Sequence, residues 1–437
     1  MSVQKNSEKI IADLLGHIRL TKGYMAWMGL LTIALLVCLY AYFLQLRDGM
    51  GVTGLSDYVS WGMYISNFVF FVATSLIGML ISAVLSLLKQ KWAEPLARIA
   101  EIIALAFAAV AGLVIIMDMG RPDRVLNVFL HARVQSPILW DVTVITAYVL
   151  TSALFLYLPL IPDLKICSEK LDKMPAFARK IYGFLSINWT GNAEQKELLQ
   201  KSTRAMAIFI IPMALAIHTV TSWLFANTSR PGWDSTIFGP YFVTGAFVSG
   251  TAAVIIAMFV FRKSFKLQDY ITDIHFDKMG KLLVLVSLIY LYFNLNEYMV
   301  PAYKMKRADA HHIHTLFTGS HAIMFWTTQL GGLLIPLILL MLKPMRKPVP
   351  MLVLAAMVLI GSWFKRYIIV VPTMEHPFLP VQNVPEYFHV YSPTLIEILV
   401  TIAPMIMVLM IVTVLSKLIP VIPLQETLDH ESENETK

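Results

Sequence analysis

Cysteine is nearly absent. Two thiols, Cys38 and Cys167, in 437 residues exclude a four-thiolate iron–sulfur cluster or a cysteine-based zinc site held by this chain alone. Charge is scarce as well: 14% of residues are Asp, Glu, Lys or Arg against 57% hydrophobic, and the mean hydropathy is +0.67. A chain so composed has too little polar surface for a water-soluble globule. Short segments of alternating polarity, the mark of a membrane β-barrel, are missing too. An all-α integral membrane protein remains, because backbone in lipid must satisfy its own hydrogen bonds within helices.

Spanning the hydrocarbon takes roughly 20 apolar residues in a helix. Such runs fall near 24–46, 58–88, 96–117, 137–162, 203–226, 239–262, 279–300, 321–342, 349–372 and 393–419, which predicts about ten transmembrane helices. The second run is long enough to tilt, and Pro212 is the clearest mid-helix interruption. With the N-terminus inside, 25 basic residues lie on the cytoplasmic side and 10 outside, so both ends are expected in the cytoplasm. The pI near 9.1 then reflects topology rather than nucleic-acid binding. No cleavable signal is expected. A membrane domain over 24–419 is thus predicted between a cytoplasmic segment 1–23 and a solvated, disordered acidic tail 420–437 holding Glu426, Asp429, Glu431, Glu433 and Glu435. The longest connection, 163–202, reads as a basic cytoplasmic loop containing Cys167.

Helices two and six open alike, Trp61-Gly62-Met63-Tyr64 beside Phe238-Gly239-Pro240-Tyr241, 177 residues apart. That offset suggests repeats over 58–226 and 239–372, hence two four-helix bundles related by a pseudo-twofold along the membrane normal, with helices 24–46 and 393–419 as flanks.

Ionisable residues at membrane depth are costly and point to function. Most are predicted near the outer face: Tyr64, Asp118, Arg121, Asp123, Arg124, His131, Arg133, Asp141, His218, Glu297, His321, Lys365, Arg366 and Glu397. The cytoplasmic half offers little beyond Glu101. Quinol oxidation releases two protons with two electrons, and carboxylates, imidazoles and phenols suit it: His131 titrates in the useful range and Asp141 can orient it or carry the proton onward. Bland alternatives stand beside these. Arg121 and Arg124 could form a salt-bridge knot with Asp118 and Asp123; Glu297 and Glu397 could pair with Lys365 and Arg366; His218 could be a buried histidine bonded to a neighbouring helix; Asp141 could cap its helix. His311, His312 and His314 have metal-like spacing in an exposed loop without a carboxylate frame, and no metal site is expected. Haem needs a histidine pair facing across helices, and only His218 lies deep, so no haem is expected.

The run Asp118-Met119-Gly120-Arg121-Pro122-Asp123-Arg124, then Ser136-Pro137-Ile138-Leu139-Trp140-Asp141, His218-Thr219-Val220-Thr221-Ser222-Trp223, Arg230-Pro231-Gly232-Trp233 and His275-Phe276-Asp277-Lys278-Met279-Gly280-Lys281-Leu282 resembles the NrfD/PsrC family of quinone-interacting membrane subunits. It is similar to the longer ten-helix branch found in alternative complex III and in quinone reductase complexes. Leu224 stands where alternative complex III relatives are expected to carry an acid. The resemblance implies quinone as substrate and no cofactor of the chain's own. It also implies a periplasmic four-cluster iron–sulfur partner, with cytochrome or molybdopterin subunits beyond, in the bacterial inner membrane. By the same resemblance His131 and Asp141 are catalytic and contact quinol, with Arg121 and Asp118 shaping the site; Tyr64 and His218 are further quinone-site candidates by their depth. Glu101, Glu297 and Glu397 are candidates for a proton path. A proton-coupled transporter with polar groups at the midplane, or a purely structural anchor, are the other function classes open to such a sequence.

The topology makes a direct prediction. With Cys38 and Cys167 replaced by alanine, a single cysteine at Arg133 is labelled by a membrane-impermeant maleimide in intact cells, and one at Asn192 only after permeabilisation. The reverse pattern would invert the orientation.

Overall fold

The computed structural model describes residues 2–18, 20–88, 90–171, 176–376 and 383–435. Among them are ten helices long and apolar enough to cross a membrane: α1 (Lys22–Asp48), α2 (Met63–Leu87), α3 (Glu94–Asp118), α4 (Pro137–Lys170), α5 (Ala193–Ala226), α6 (Phe238–Ser264), α7 (Asp273–Lys304), α8 (Ala322–Met341), α9 (Pro348–Glu375) and α10 (Leu395–Leu418). Their starts are written locally. Asn192 accepts from the Gln195 N–H at 2.8 Å, Thr394 from the Glu397 N–H at 3.3 Å, and Thr272 and His275 close a capping box, each satisfying amides a helix N-terminus leaves orphaned.

Helices α2 to α5 form a closed ring, each packed on the next and α5 returning to α2. Helices α6 to α9 form a second ring in the same order of neighbours. The rings join where α2 meets α6 and α9 and where α5 meets α6; α1 and α10 pair and lean on α3. Lipid supplies no hydrophobic drive between helices, so small residues carry the close approaches. A Cβ at Gly78 would run into the Ala100 carbonyl of α3, and one at Gly250 into the Ile77 side chain of α2. Gly332 and Gly361 bring α8 and α9 equally close. The outer faces expose Leu30, Ile33, Leu36 and Phe43 of α1 and Leu285, Leu288 and Ile289 of α7, as lipid contact requires.

Several expectations are corrected. The runs at 137–162, 203–226 and 279–300 are the apolar centres of longer helices. The expected loop 163–202 is largely helical, with i,i+4 ion pairs Lys165–Glu169 and Glu197–Lys201 along the extensions and a further helix at Ala176–Leu185. Cys167 therefore sits buried in α4. The second run yields 25 helical residues starting at Met63, and α5 passes through Pro212 unbroken. The irregular helix is α8, whose residues Thr327–Leu334 form a π-helical stretch. The acidic tail is not disordered from its start: Leu424–Glu435 is helical, Ile422 and Leu424 are buried, and the segment packs near the N-terminal helix Ser2–Leu15. The side chains of Glu431, Glu433 and Glu435 lie outside the described residues.

The glycine contacts predict that Gly78→Leu lowers stability by about 1–3 kcal/mol, the usual cost of overpacking. Gly112→Leu, where nothing lies within 4 Å of the new Cβ, should leave the thermal midpoint of the purified protein nearly unchanged. Equal midpoints for the two variants would contradict the α2–α3 packing.

Candidate functional site

The loops following α1, α3, α5, α7 and α9 share one end of the helices, here the near end; it is the end predicted to lie outside. Asp141, in the second turn of α4, is 2% exposed and accepts from the Thr221 hydroxyl of α5 at 2.5 Å. Its carboxylate thus reaches across to a neighbouring helix rather than capping its own. One turn below Thr221, His218 is wholly buried; Nδ1 faces the Ala214 carbonyl of its own helix at 3.2 Å and Nε2 has no partner. The Val72 and Ala73 backbone of neighbouring α2 also acts on the ring. Asp141, Thr221 and His218 form a polar line between α4 and α5 inside the first ring.

The loop before α4 is open. Arg121 and Asp123 make an exposed bidentate pair at 3.0 Å, and the guanidinium holds the Asp123 carboxyl below its usual range. Asp118 takes no part, so the four-residue knot reduces to one pair; its Oδ1 is buried without a partner. His131 is exposed at the end of the short helix Asn127–Leu130. Around it Leu126, Phe129, Leu130, Val134 and Ile138 are exposed.

A second network lies between α1, α2 and α10. The Tyr64 hydroxyl, buried, donates to Gln45 Oε1 at 2.6 Å, and Gln45 Nε2 donates to the Met117 carbonyl at 2.8 Å, beside Asp118. Glu397 accepts from the Tyr391 hydroxyl and from the Gly54 N–H at 2.9 Å. Burial, with Glu397 beside it, holds the Tyr391 phenol well above its ordinary range. The Tyr391 N–H donates in turn to Glu375, which also receives His321 at 2.8 Å. The expected pairing of Glu397 with Lys365 or Arg366 is therefore wrong; Glu297 accepts from Ser235 at 2.8 Å and acts on Lys365 electrostatically without a direct ion pair. Among the described residues neither cation joins an ion pair. Lys365 donates to the Tyr298 hydroxyl, and Arg366 stands over the Phe242 ring at 5.0 Å.

The far end is more polar than expected. Glu101 accepts from Ser82 in a cavity of about 240 Å³ that Arg98 also lines. Arg98 pairs with Asp163, which accepts the Leu424 and Gln425 amides at 3.1 and 2.9 Å. Glu101, Glu297 and Glu397 thus stand in three separate surroundings.

One near-end feature escaped sequence reasoning. A cleft of about 410 Å³ is lined by Tyr58, His311, Ser320, Glu375, His376 and His389. Tyr58 stacks on His389 with ring centroids 4.3 Å apart, and His311 and His376 lie 4.4 Å apart. Its members come from four distant stretches, and the only local signal was the density of histidine. His311, His312 and His314 belong to a helix, Arg307–Phe317, not to an exposed loop. His312 is buried against Gly232, whose φ of +81° lets the chain pass without a Cβ. Among the described residues no group of three or more ligating side chains could hold a metal ion.

Comparison with known proteins follows the same motifs. The profile of the polysulphide reductase NrfD family matches residues 51–376. The chain is 30% identical over 333 residues to a putative membrane subunit of dimethyl sulfoxide reductase from Halobacterium salinarum, covering 74% of this chain and 70% of that one. It is 23% identical over 414 residues to a selenate reductase subunit from Mesobacillus selenatarsenatis, covering 92% and 95%. It is 24% identical over 388 residues to the integral membrane subunit of menaquinone reductase from Nitratidesulfovibrio vulgaris, covering 83% and 84%.

Burial, reinforced by neighbouring His376, His321 and His311, lowers the His312 pKa from 6.5 to about 3. Between those values the unfolded chain binds a proton that the folded chain refuses. Stability from neutral His312 is complete above pH 6.5 and falls by about 1.4 kcal/mol per unit as the pH drops toward 3. His312→Leu should flatten that part of the pH dependence of the thermal midpoint; an unaltered slope would refute the assignment.

Proposed function

The chain belongs to the polysulphide reductase NrfD family, and on that premise we propose that it is the quinone-interacting membrane subunit of a respiratory oxidoreductase complex. It would exchange electrons between the membrane quinone pool and an extracytoplasmic iron–sulfur subunit. The observation that carries this reading is Asp141, a buried carboxylate at the near end of a membrane helix, held by one hydroxyl. Quinol oxidation sheds two protons and two electrons. On this reading the electrons leave to the partner's clusters, and Asp141, with His131 in the loop before it, takes the protons. On this reading His218 stands one turn below Thr221, whereas Tyr64 and Asp118 belong to the network of α1, α2 and α10 and Arg121 is committed to Asp123. The menaquinone reductase relative supports quinone chemistry, and the dimethyl sulfoxide and selenate reductase relatives support membership of a multi-subunit complex. The exposed apolar and basic residues of loop 119–136 suit the docking of that partner.

The histidine cleft favours a second placement of the quinone ring. It has the volume of a small-ligand site and offers imidazoles, a carboxylate and a phenol, whereas Asp141 has a single hydroxyl for company. Proton translocation draws on the far-end cavity at Glu101 as an uptake chamber for the first ring. Glu297 and Glu397 belong to other networks and would serve other routes.

Quinol-dependent reduction by the purified native complex tests both placements. Asp141→Asn and His131→Ala at equal assembly should lower the rate at least tenfold, with His376→Ala near wild type. The converse pattern moves the site to the histidine cleft, and full activity in all three leaves a structural anchor.

A further inference from the structure

Arg366 is 1% exposed and Lys365 4% exposed, side by side in the second ring. Burying one cation in a membrane domain is expensive, and burying two without a paired carboxylate more so. Glu297 acts electrostatically on Lys365, but it is engaged by Ser235 and bounds a different cavity, together with Tyr241, Asp309 and His312. The ring face of Phe242 meets the Arg366 guanidinium from one side, yet ring faces do not accept its in-plane N–H bonds. Two of these donors, Nε and Nη1, are buried with no acceptor.

Both residues line a cavity of about 20 Å³ between α6, α7, α8 and α9, with Tyr290, Thr328, Gln329 and Ser362. Gln329 adds a third donor. Its Oε1 accepts from Asn294 at 2.8 Å, which turns Nε2 away, and Nε2 is buried without an acceptor. The cavity exists because bulk is withheld from it: Gly245, Gly332 and Gly361 all line it, and a Cβ at Gly245 would come within 2.9 Å of Arg366 Nη2. The π-helical stretch of α8 carries Thr328, Gln329 and Gly332 to this wall, and π-helical turns recur at functional sites. Surplus donors, a guanidinium without an ion pair, no carboxylate in the lining and room for one small guest describe an acceptor-seeking pocket.

We propose that this cavity is a binding site for a small monovalent anion of chloride size, held by Arg366 and Gln329 with Lys365 supplying further positive potential. The site is independent of the quinone reading. It neutralises a buried guanidinium that the protein itself leaves uncompensated.

The test uses the full-length purified protein, with bromide as the probe against isethionate, which is too large to enter, at constant ionic strength. The thermal midpoint should rise saturably with bromide, and anomalous diffraction from bromide-grown crystals should show a peak within hydrogen-bond distance of Arg366 and Gln329. Gln329→Leu should raise the half-saturating bromide concentration at least tenfold. Gln329→Glu, which installs a carboxylate beside Arg366, should raise the midpoint in isethionate and abolish the bromide response. A midpoint indifferent to bromide with no anomalous peak would overturn the proposal and leave a water-sized polar void. A bromide response undiminished in both variants would likewise overturn it, by placing the anion elsewhere.

Discussion

The contact between α2 and α6 fixes the rest of the architecture. Helix α2 is the most buried of the ten; it serves as a wall of the first ring and as the seam to the second. Gly250 lets α6 close on Ile77 and Thr74, and Gly78 lets α3 close on the other side. In lipid the gain comes from close packing rather than from excluding water. A side chain at either glycine therefore does more than waste area: it pushes two bundles apart. Because the seam is tight, groups on opposite sides sense each other, and His218 of the first ring lies within electrostatic reach of Arg366 in the second.

Burying charge in such a frame has two solutions here. At the far end Arg98 meets Asp163 with both side chains 1% exposed, and two backbone amides at the start of the terminal helix complete the carboxylate. That is the geometry in which a buried pair is tolerated, with spare lone pairs filled as well as charge balanced. It also explains why an acidic tail folds back, since the first turn of the tail helix supplies those amides. Lys365 and Arg366 follow a different pattern. They rest on phenols and ring faces, which soften the charge without cancelling it.

The ten helices were legible because hydropathy reads the solvent directly, and Asp141 stood out because a carboxylate in an apolar run has few innocent explanations. Helix ends were less so, because α4, α5 and α7 continue beyond the apolar core on charged residues whose i,i+4 pairing only a helix reveals. The partners of Glu297 and Glu397 were misread for a different reason. Sequence gives depth, not azimuth, so equal depth to Lys365 and Arg366 suggested pairing, whereas the side chains turn toward Ser235 and toward Tyr391 and Gly54. The histidine cleft was invisible as a cleft, since residues 58, 311, 376 and 389 meet only when the near-end loops converge.

The distribution of charge between the rings bears on where protons can travel. The first ring holds Asp141 at the near end and Glu101 at the far end, each bonded to a hydroxyl, with His218 below Thr221. The second ring places the Arg366 guanidinium at depth, and its positive potential in a narrow, low-dielectric passage opposes any hydronium entering it. On the function proposed above, a transmembrane proton path would run through the first ring. Glu297 is then confined to exchange with the near end.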